Sequence, residues 1–369
     1  KRYFCSSIKT NSNKFSSLLS SIKFGDLNLK NRVVMSSMSR PRAFPNEGTP
    51  LDIHLKYYSE RAEDAGMVIC EAITVDKRAS FFLNSLQAST KKHQQALTRL
   101  TESVHRKGGF IFAQLGHGGR VAHKDNLLGQ TPLAPSPLKN TDDKDSITPE
   151  ELTVEGINMI KGQFRNSFLI AKEAGFDGVQ VHCGHGTLLD QFLKDGSNIR
   201  NDSYGGSIEN RSRLLLEIVD LAKDILGSKR VGVKLKPTDR ANGMVDSNPR
   251  NLLSYVLQEL NKRKILFVEL SRTMNEDEEY QELREYKDIK LKLPEVLLIG
   301  NDGFSPEEAN QYISEGKIDM VGFATKYIAN PDLVNRFRFN HALADVDWDN
   351  IDGEPGSSIG YSDYPKYKN

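Results

Sequence analysis

The sequence of 369 residues predicts an α/β protein, a (β/α)8 TIM barrel that forms a single domain with elaborated loops. Eight short runs of apolar and β-branched residues recur along the chain, and their near-continuous hydrophobicity is typical of strands covered on both faces. Longer segments with helical periodicity separate these runs, and several of them close on Gly, the residue expected just after a helix C-terminus. A strand followed by a helix, eight times over, predicts a closed barrel.

Each predicted strand is a short apolar run bounded by polar or turn-forming residues. In chain order the runs are RVVMSS (32–37), MVICEAI (67–73), FIFAQL (110–115), GVQVHC (178–183), VGVKLK (231–236), LFVELS (266–271), VLLIGN (296–301) and MVGFAT (320–325). The predicted helices include HLKYYSERAEDAG (54–66), ALTRLTESVHRKGG (96–109), EGINMIKGQFRNSFLIAKEAG (155–175), IENRSRLLLEIVDLAKDILG (208–227) and PRNLLSYVLQELNKRK (249–264). An open doubly wound sheet is the weaker alternative, because RVVMSSMSRPRA contains none of the glycines that such a sheet places after its first strand.

Composition narrows the classes of partner. Lys and Arg total 50 against 49 Asp and Glu, so electrostatics gives no reason to expect nucleic acid or an anionic membrane. No apolar stretch approaches the roughly 20 residues that a membrane-spanning helix needs. The three cysteines, Cys5, Cys70 and Cys183, lie far apart without a CxxC pair, which favours a reducing compartment. We therefore expect the cytoplasm.

We expect three segments in the chain. Residues 1–22 are basic, rich in Ser and free of acidic residues, which fits an N-terminal arm or the remnant of a targeting segment. The second interpretation would place the protein in an organellar matrix. Residues 23–345 form the predicted barrel, and residues 346–369 form a tail packed on or near it. The polar loop after the third strand, about 116–151, is long enough to suggest a functional role.

Polar residues are concentrated where the predicted strands end. In a (β/α)8 barrel these carboxyl ends meet at one mouth, where the chemistry of such proteins is found. Because the strand interiors are apolar, polar groups gathered at their ends need a partner, and a bound ligand would supply one. These residues are Ser37–Met38–Ser39, Glu71–Ala72, Gln114, His182, His185, Lys234, Gly300–Asn301 and Ala324–Thr325. They include no acidic cluster, so a divalent-metal site for phosphoryl transfer is not expected.

The segment HCGHGTLLDQF places His182 at the end of the fourth predicted strand and His185 just past it. Three interpretations are open. The histidines bind a metal ion, they form hydrogen bonds that serve only the structure, or both donate N–H groups to one substrate oxygen. Zinc needs three or four ligands, and no acidic or Cys cluster converges on the other strand ends. We favour the clamp, which would polarise a carbonyl and stabilise negative charge that develops on its oxygen.

The motifs then resemble a known family. HCGHGTLLDQFLKDGSNIRNDSYGGSIENRSRLLLEIV is similar to the signature region of the Old Yellow Enzyme family of FMN-dependent oxidoreductases. NRVVMSSMSRPRA, ICEAITV and IFAQLGHGGRVAH resemble its first three strand segments, and TPLAPSP, VGVKL, FATKYIANPDLVNRF and GYSDYP follow in the expected order. The resemblance runs from about Leu27 to Pro365.

This resemblance implies an FMN across the barrel mouth, non-covalently bound. Gln114 would bond the pyrimidine edge of the flavin, and Lys234 would stand near its N1–C2 carbonyl region. The backbone N–H groups of Gly300 and Asn301 would meet the phosphate, as a turn near a helix start can. The residues expected at the flavin ring are Ser37, Met38, Ser39, Ala72, Gln114 and Lys234.

The family chemistry implied is NAD(P)H-driven reduction of the C=C bond of an α,β-unsaturated carbonyl compound. A hydride passes from NADH or NADPH to the flavin and then to the β-carbon, while an acid protonates the α-carbon. His182 and His185 would be the carbonyl clamp. The expected partner is a small enone-type substrate, and a homodimer is the assembly we consider.

Four positions depart from the family pattern. Thr187 stands where the family has a proton-donating Tyr, and an aliphatic alcohol is a far weaker acid than a phenol. Ala324–Thr325 replaces a Gly-Arg pair at the phosphate end, and Lys234 replaces an Arg. Gly116, where a bulky Trp is common, is expected to widen the substrate pocket.

These departures predict weak FMN retention and impaired activity. Two other functions therefore remain open: a barrel with weak or lost catalysis that binds a flavin or a carbonyl ligand, and a flavin-dependent isomerase.

Overall fold

The computed structural model describes residues 14–127, 129–238, 240–272 and 281–368. Of the predicted N-terminal segment (1–22), residues 1–13 with Cys5 lie outside the described residues. Within the described ranges, no helix is long and apolar enough to cross a membrane.

The described residues contain a closed barrel of eight parallel strands, as predicted. Each strand pairs with its neighbours in chain order, β1 also pairs with β8, and the contact between β2 and β3 completes the closure. The predicted second strand stops early at Ile69, and the chain returns to the sheet at Ile73–Thr74. The strands are β1 (Val33–Met35), β2 (Met67–Ile69), β3 (Ile111–Gly116), β4 (Gly178–Cys183), β5 (Val231–Leu235), β6 (Phe267–Ser271), β7 (Leu297–Asn301) and β8 (Met320–Phe323).

Helices surround the barrel, and their starts follow capping residues in the sequence. Thr90, Thr153 and Ser207 each accept a backbone N–H three residues further on, which satisfies one of the free donors of the first turn. The helices are α1 (Asp52–Ala62), α2 (Lys91–His105), α3 (Val154–Glu173), α4 (Leu188–Leu193), α5 (Ile208–Leu226), α6 (Pro249–Lys262), α7 (Gln281–Arg284), α8 (Pro306–Ser314), α9 (Thr325–Ala329) and α10 (Leu333–Phe339).

Aromatic side chains fill the amino-terminal end of the barrel. Phe24, from an antiparallel hairpin (22–29), packs against Phe112 and Phe267, with ring centroids 5.8 Å and 5.4 Å away. Gly178 leaves room for these rings, because a Cβ there would lie 2.2 Å from the Phe112 side chain. This end is therefore closed by apolar packing, and the open mouth is at the opposite, carboxyl-terminal end.

The chain after α10 returns to the barrel beside the first strand. The guanidinium of Arg40 donates to the carbonyl oxygens of Ile351 and Gly360 at 2.9 Å and 2.6 Å. The ring of Tyr361 stacks on that of Tyr57, with centroids 4.0 Å apart. Because Arg40 follows Ser37–Ser39 directly, these contacts hold the segment that reaches the mouth.

Candidate active site

A cleft of about 540 Å³ opens at the carboxyl-terminal mouth of the barrel. Every residue expected at the flavin, the phosphate or the substrate, except Gly300, lines this cleft, whereas the strand-end residue Glu71 does not. The predicted residues that line it are Ser37, Met38, Ser39, Ala72, Gln114, His182, His185, Thr187, Lys234, Asn301, Ala324 and Thr325. Residues that the sequence analysis missed line it too: Phe81, Phe82, Val121, Lys236, Asn242 and Asp302.

The two histidines lie side by side at the rim. His182 is on β4, and His185 follows in a turn with a φ of 59°, in the left-handed region. The two ring centroids are 5.7 Å apart with an interplanar angle of 50°. The Nδ1 atom of His182 is buried without a hydrogen-bond partner in the described structure. This nitrogen is closed off from solvent, so it is not the atom that the cleft presents to a ligand, although the His182 side chain itself borders the cleft.

Both imidazoles are neutral near pH 7. Burial, and then the nearby Lys234 ammonium, lowers the pKa of His182 to about 3. Burial lowers the pKa of His185 well below its usual value, and Lys234 and His182 act in the same direction. A neutral imidazole carries one N–H donor, so the pair can offer two N–H groups to an uncharged carbonyl oxygen.

Thr187 lines the cleft next to the histidines but has a structural contact of its own. Its side chain is buried, and Oγ1 donates to the backbone oxygen of His182 at 3.4 Å. Thr187 precedes α4 without capping it through its side chain. Its hydroxyl is an aliphatic alcohol and cannot serve as an acid near pH 7.

A chain of buried hydrogen bonds crosses the barrel below the cleft. Ser37 Oγ donates to Gln114 Oε1 at 2.9 Å, and Gln114 Nε2 donates to Gln180 Oε1 at 2.7 Å. Gln180 Nε2 donates in turn to Glu269 Oε2 at 2.6 Å, and Lys234 Nζ lies 3.3 Å from Glu269 Oε1. These side chains form a polar floor below the cleft and are held in place by hydrogen bonds and an ion pair with one another.

Comparison with known proteins identifies the family. The model of the NADH:flavin oxidoreductase / NADH oxidase family matches residues 17–344. The chain is 36% identical over 348 residues to a protein of Oryza sativa subsp. japonica named putative 12-oxophytodienoate reductase 5, covering 92% of each chain. The solved structure of morphinone reductase in complex with tetrahydroNAD has a TM-score of 0.88 at 33% identity, covering 95% of this chain and 98% of that one. The old yellow enzyme homologue from Zymomonas mobilis has a TM-score of 0.87 at 30% identity, covering 95% and 99%. The chain belongs to the Old Yellow Enzyme family.

Membership of the Old Yellow Enzyme family confirms the resemblance that the motifs indicated. The protein is an FMN oxidoreductase of the ene-reductase type, and the family implies NAD(P)H as its reductant. The structural relative that was solved with tetrahydroNAD holds a nicotinamide coenzyme analogue.

The phosphate end of the Old Yellow Enzyme site differs from our expectation. Gly300 pairs with Leu270 and Val321 in the barrel ladder, and it does not line the cleft. The N–H of Asn301 donates to the Tyr286 hydroxyl at 3.0 Å. The N–H group of Asn301 is therefore already engaged and Gly300 lies outside the cleft, so this arrangement does not support the expected contact of the two N–H groups with the phosphate. Asn301 still borders the cleft, where Ala324 and Thr325 also lie.

The pocket is not widened at Gly116. A Cβ there would lie 2.9 Å from Cζ of Phe81 and 3.1 Å from Cβ of His182. Phe81 comes from the segment after β2 and meets His182 edge to face, with centroids 6.0 Å apart. The expectation of a wider pocket is therefore wrong, because an aromatic ring from another segment fills the space. The pair of phenylalanines in ASFFLNS (79–85), outside the predicted strands and helices, is the sequence signal that could have drawn attention to this segment.

Loops from β3 and β5 brace the histidine turn. Asn242 Nδ2 donates to the backbone oxygen of His185 at 3.0 Å, and Asn242 Oδ1 accepts from Asn140 Nδ2 at 3.0 Å. Arg120 Nη2 donates to the backbone oxygen of Asn242 at 2.7 Å. Arg120 and Asn140 belong to the long loop after β3, so that loop has a role in holding the site.

A metal-binding role for the histidine pair finds no further ligands in the described ranges. No group of three or more His, Cys, Asp or Glu side chains there is arranged to hold a metal ion. A zinc site needs three or four such ligands.

The residues around the cleft fit a flavin. Met38 and Ala72 offer apolar surface for a flat ring, and Gln114 and Lys234 offer polar groups for its pyrimidine edge. The His182 and His185 side chains border the same cleft and are left for a second molecule at the mouth. In an Old Yellow Enzyme the bound FMN supplies hydride transfer.

Gly116→Ala is expected to destabilise the protein by about 1–3 kcal/mol, because its Cβ would overlap Phe81 and His182. In a Phe81→Ala background the same change should cost clearly less. Urea unfolding of the four proteins measures this coupling. Gly162→Ala is the control, since a Cβ there meets nothing within 4 Å. Equal costs in both backgrounds would contradict the packing of Phe81 on Gly116.

His182→Asn is expected to flatten the dependence of stability on pH. In the folded protein the pKa of His182 is lowered by burial to about 3, whereas in an unfolded chain it is about 6.5. As the pH falls below about 6.5, only the unfolded chain gains a proton, so the free energy of unfolding decreases by up to about 1.4 kcal/mol per pH unit. The variant should lose this slope, measured by urea unfolding between about pH 7 and pH 4.5. Gln114→Asn, which does not titrate, should shift the curve without changing its slope, and a parallel shift for His182→Asn would refute the argument.

Proposed function

We propose that the protein reduces the C=C bond of α,β-unsaturated carbonyl compounds with NADPH or NADH as the reductant, and that it holds FMN weakly. The observation that carries the first part is the pair of adjacent, neutral imidazoles, His182 and His185, which both line the mouth. Relatives named 12-oxophytodienoate reductase and morphinone reductase support a substrate with a carbonyl group.

FMN, when bound at the mouth, would supply the transfer of a hydride from the nicotinamide to the substrate. The N–H groups of His182 and His185 bind the substrate carbonyl oxygen, which holds the alkene in place. As the hydride reaches the β-carbon, negative charge grows on this oxygen, and the two donors bind it more tightly than the ground-state carbonyl. A proton then adds to the α-carbon, so one NADPH and one proton convert one enone to one saturated ketone.

The proton that adds to the α-carbon needs a donor. Thr187 lies in the place where the family has Tyr, but its hydroxyl is a weak acid and contacts a backbone oxygen. Water that enters the cleft is the donor we propose. Loss of a positioned acid typically slows the protonation step by about 10²–10⁴-fold.

Charge balance in the cleft supports weak FMN retention. Among the described residues that line the cleft, the lysines are Lys234 and Lys236, and each has a carboxylate nearby. Lys234 Nζ is 3.3 Å from Glu269, and Lys236 Nζ is 3.6 Å from Asp302. Neutralised ammonium groups attract the FMN phosphate and the reduced ring less than unpaired ones would. The Ala324–Thr325 pair adds no Arg fork for the phosphate.

Thr187 also favours a second function, a barrel that binds flavin and a carbonyl ligand with little reduction. If protonation is slow, the enolate can rotate about its Cα–Cβ bond, which is single after hydride addition, before the β-carbon gives a hydride back. The net result is E/Z isomerisation of the alkene without net consumption of NADPH.

The deciding experiment is a visible spectrum of the protein as purified and during titration with FMN, followed by NADPH oxidation with and without cyclohexenone. We expect substoichiometric flavin at first, saturation on titration, and NADPH oxidation that depends on the enone.

His182→Ala should lower kcat/KM by about 10²–10³-fold, because a donor to the developing oxyanion is lost. His105→Ala, on the outer face of α2, is the matched control. Saturable FMN binding without enone-dependent turnover would support the binding protein instead.

Thr187→Tyr is expected to raise enone turnover, because a phenol near the α-carbon can donate the proton that Thr187 cannot. The gain should reach about 10²-fold or more if protonation limits the rate. Thr187→Phe has nearly the same bulk without the hydroxyl and should give no gain. Equal rates for the Tyr and Phe variants would show that the proton donor is not what limits this enzyme.

A further inference from the structure

The carboxylate of Glu269 lies at the centre of the polar floor. Its side chain is fully buried on β6, directly across the ladder from Lys234 on β5. Oε1 accepts from Ser36 Oγ at 2.8 Å and lies 3.3 Å from Lys234 Nζ, while Oε2 accepts from Gln180 Nε2 at 2.6 Å. Glu269 does not itself line the cleft, so it can influence the cleft only through its neighbours.

The donors around Glu269 require it to be ionised. Ser36 Oγ already accepts from Asn301 Nδ2 at 2.7 Å, so its own hydrogen is directed to Glu269. Gln180 Nε2 is an amide nitrogen and can only donate. Both carboxylate oxygens therefore accept hydrogen bonds, and the Lys234 ammonium completes the set. The result is a buried ion pair below the cleft with no net charge.

We propose that Glu269 is a positioning residue that holds Lys234 and sets the reduction potential of the bound flavin through it. This inference rests on the proposed function, in which Lys234 faces the flavin edge that gains negative charge on reduction. An ammonium there stabilises the reduced ring. Glu269 offsets that effect, because its charge is opposite and equally buried. With Glu269 present, the site stabilises reduced FMN less than it would with Lys234 alone, so the reduction potential of the bound flavin is lower. A reduced flavin with a lower potential is a stronger hydride donor.

The effect has a measurable form. Binding that is tighter for reduced than for oxidised FMN raises the potential, and each tenfold change in the ratio of the two affinities equals about 30 mV for a two-electron couple. The ratio follows from an FMN fluorescence titration of the apoprotein and from anaerobic equilibration of the holoprotein with a dye of known potential. Neither readout depends on enone turnover.

Four proteins form the test: wild type, Glu269→Gln, Lys234→Met and the double variant. Glu269→Gln should favour reduced FMN about tenfold more than wild type does, a shift of about +30 mV. Lys234→Met leaves the carboxylate unpaired and should shift the ratio about tenfold the other way. The double variant restores a neutral floor and should return close to wild type. Glu217→Gln, on the outer face of α5 beside Lys161, is the control for loss of a carboxylate elsewhere.

A structural role alone would change thermal stability without producing opposite shifts in potential. Shifts of the same sign in both single variants, or an unchanged ratio in Glu269→Gln, would overturn the inference. If Glu269→Gln does not fold, the shift in Lys234→Met still decides, since an unchanged ratio there would also overturn it. A wild-type protein that binds no FMN would instead refute the proposed function, so the two failures are distinct.

Discussion

Closure of eight parallel strands makes all strands end at the same rim, and every chemical group of the site depends on this geometry. The register places His182 opposite Lys234 on one side of β5, and Lys234 opposite Glu269 on the other. Phenylalanine rings occupy the amino-terminal end of the same barrel. Because that end is closed by apolar packing, the polar side chains of the strands are confined to the upper half, where they bond to one another and to what enters the mouth.

Lys234 acts on both the histidine pair and the flavin site. Its positive charge adds to burial in lowering the pKa of both histidines, so it helps to keep them neutral. The same ammonium group forms an ion pair with Glu269 below the cleft. A larger positive charge on the floor would stabilise the reduced flavin and would also lower the pKa of both histidines. A larger negative charge would have the opposite effect on both. The ion pair therefore links the properties of the flavin site to those of the carbonyl clamp.

Much of this architecture could be read from the sequence, because the strands carry strong signals. GVQVHC and VGVKLK begin and end within one residue of β4 and β5, and the residues just past such runs reach the cleft as expected. Other features could not be predicted from strand ends. Phe81 lies in an irregular segment with no periodicity, and nothing local shows that it meets Gly116. Glu269 is a charge inside the apolar run LFVELS, a sign of a buried partner, but its partners come from three other strands and their flanks. The Asn301 N–H is used by the hydroxyl of Tyr286, a residue 15 positions away in the chain, and nothing in VLLIGN indicates that contact.

The position of Phe81 has a consequence for how this enzyme diversifies. In a relative with a bulky residue at the end of β3, the wall of the pocket is part of the barrel itself, and any change there disturbs a strand. Here the wall is an aromatic ring carried by a connecting segment (77–86), and the strand end has only a glycine. The shape of the substrate chamber is thereby separated from the scaffold that supports the cofactor. A substitution in that segment would therefore reshape the wall of the chamber without altering a barrel strand or the polar floor beneath.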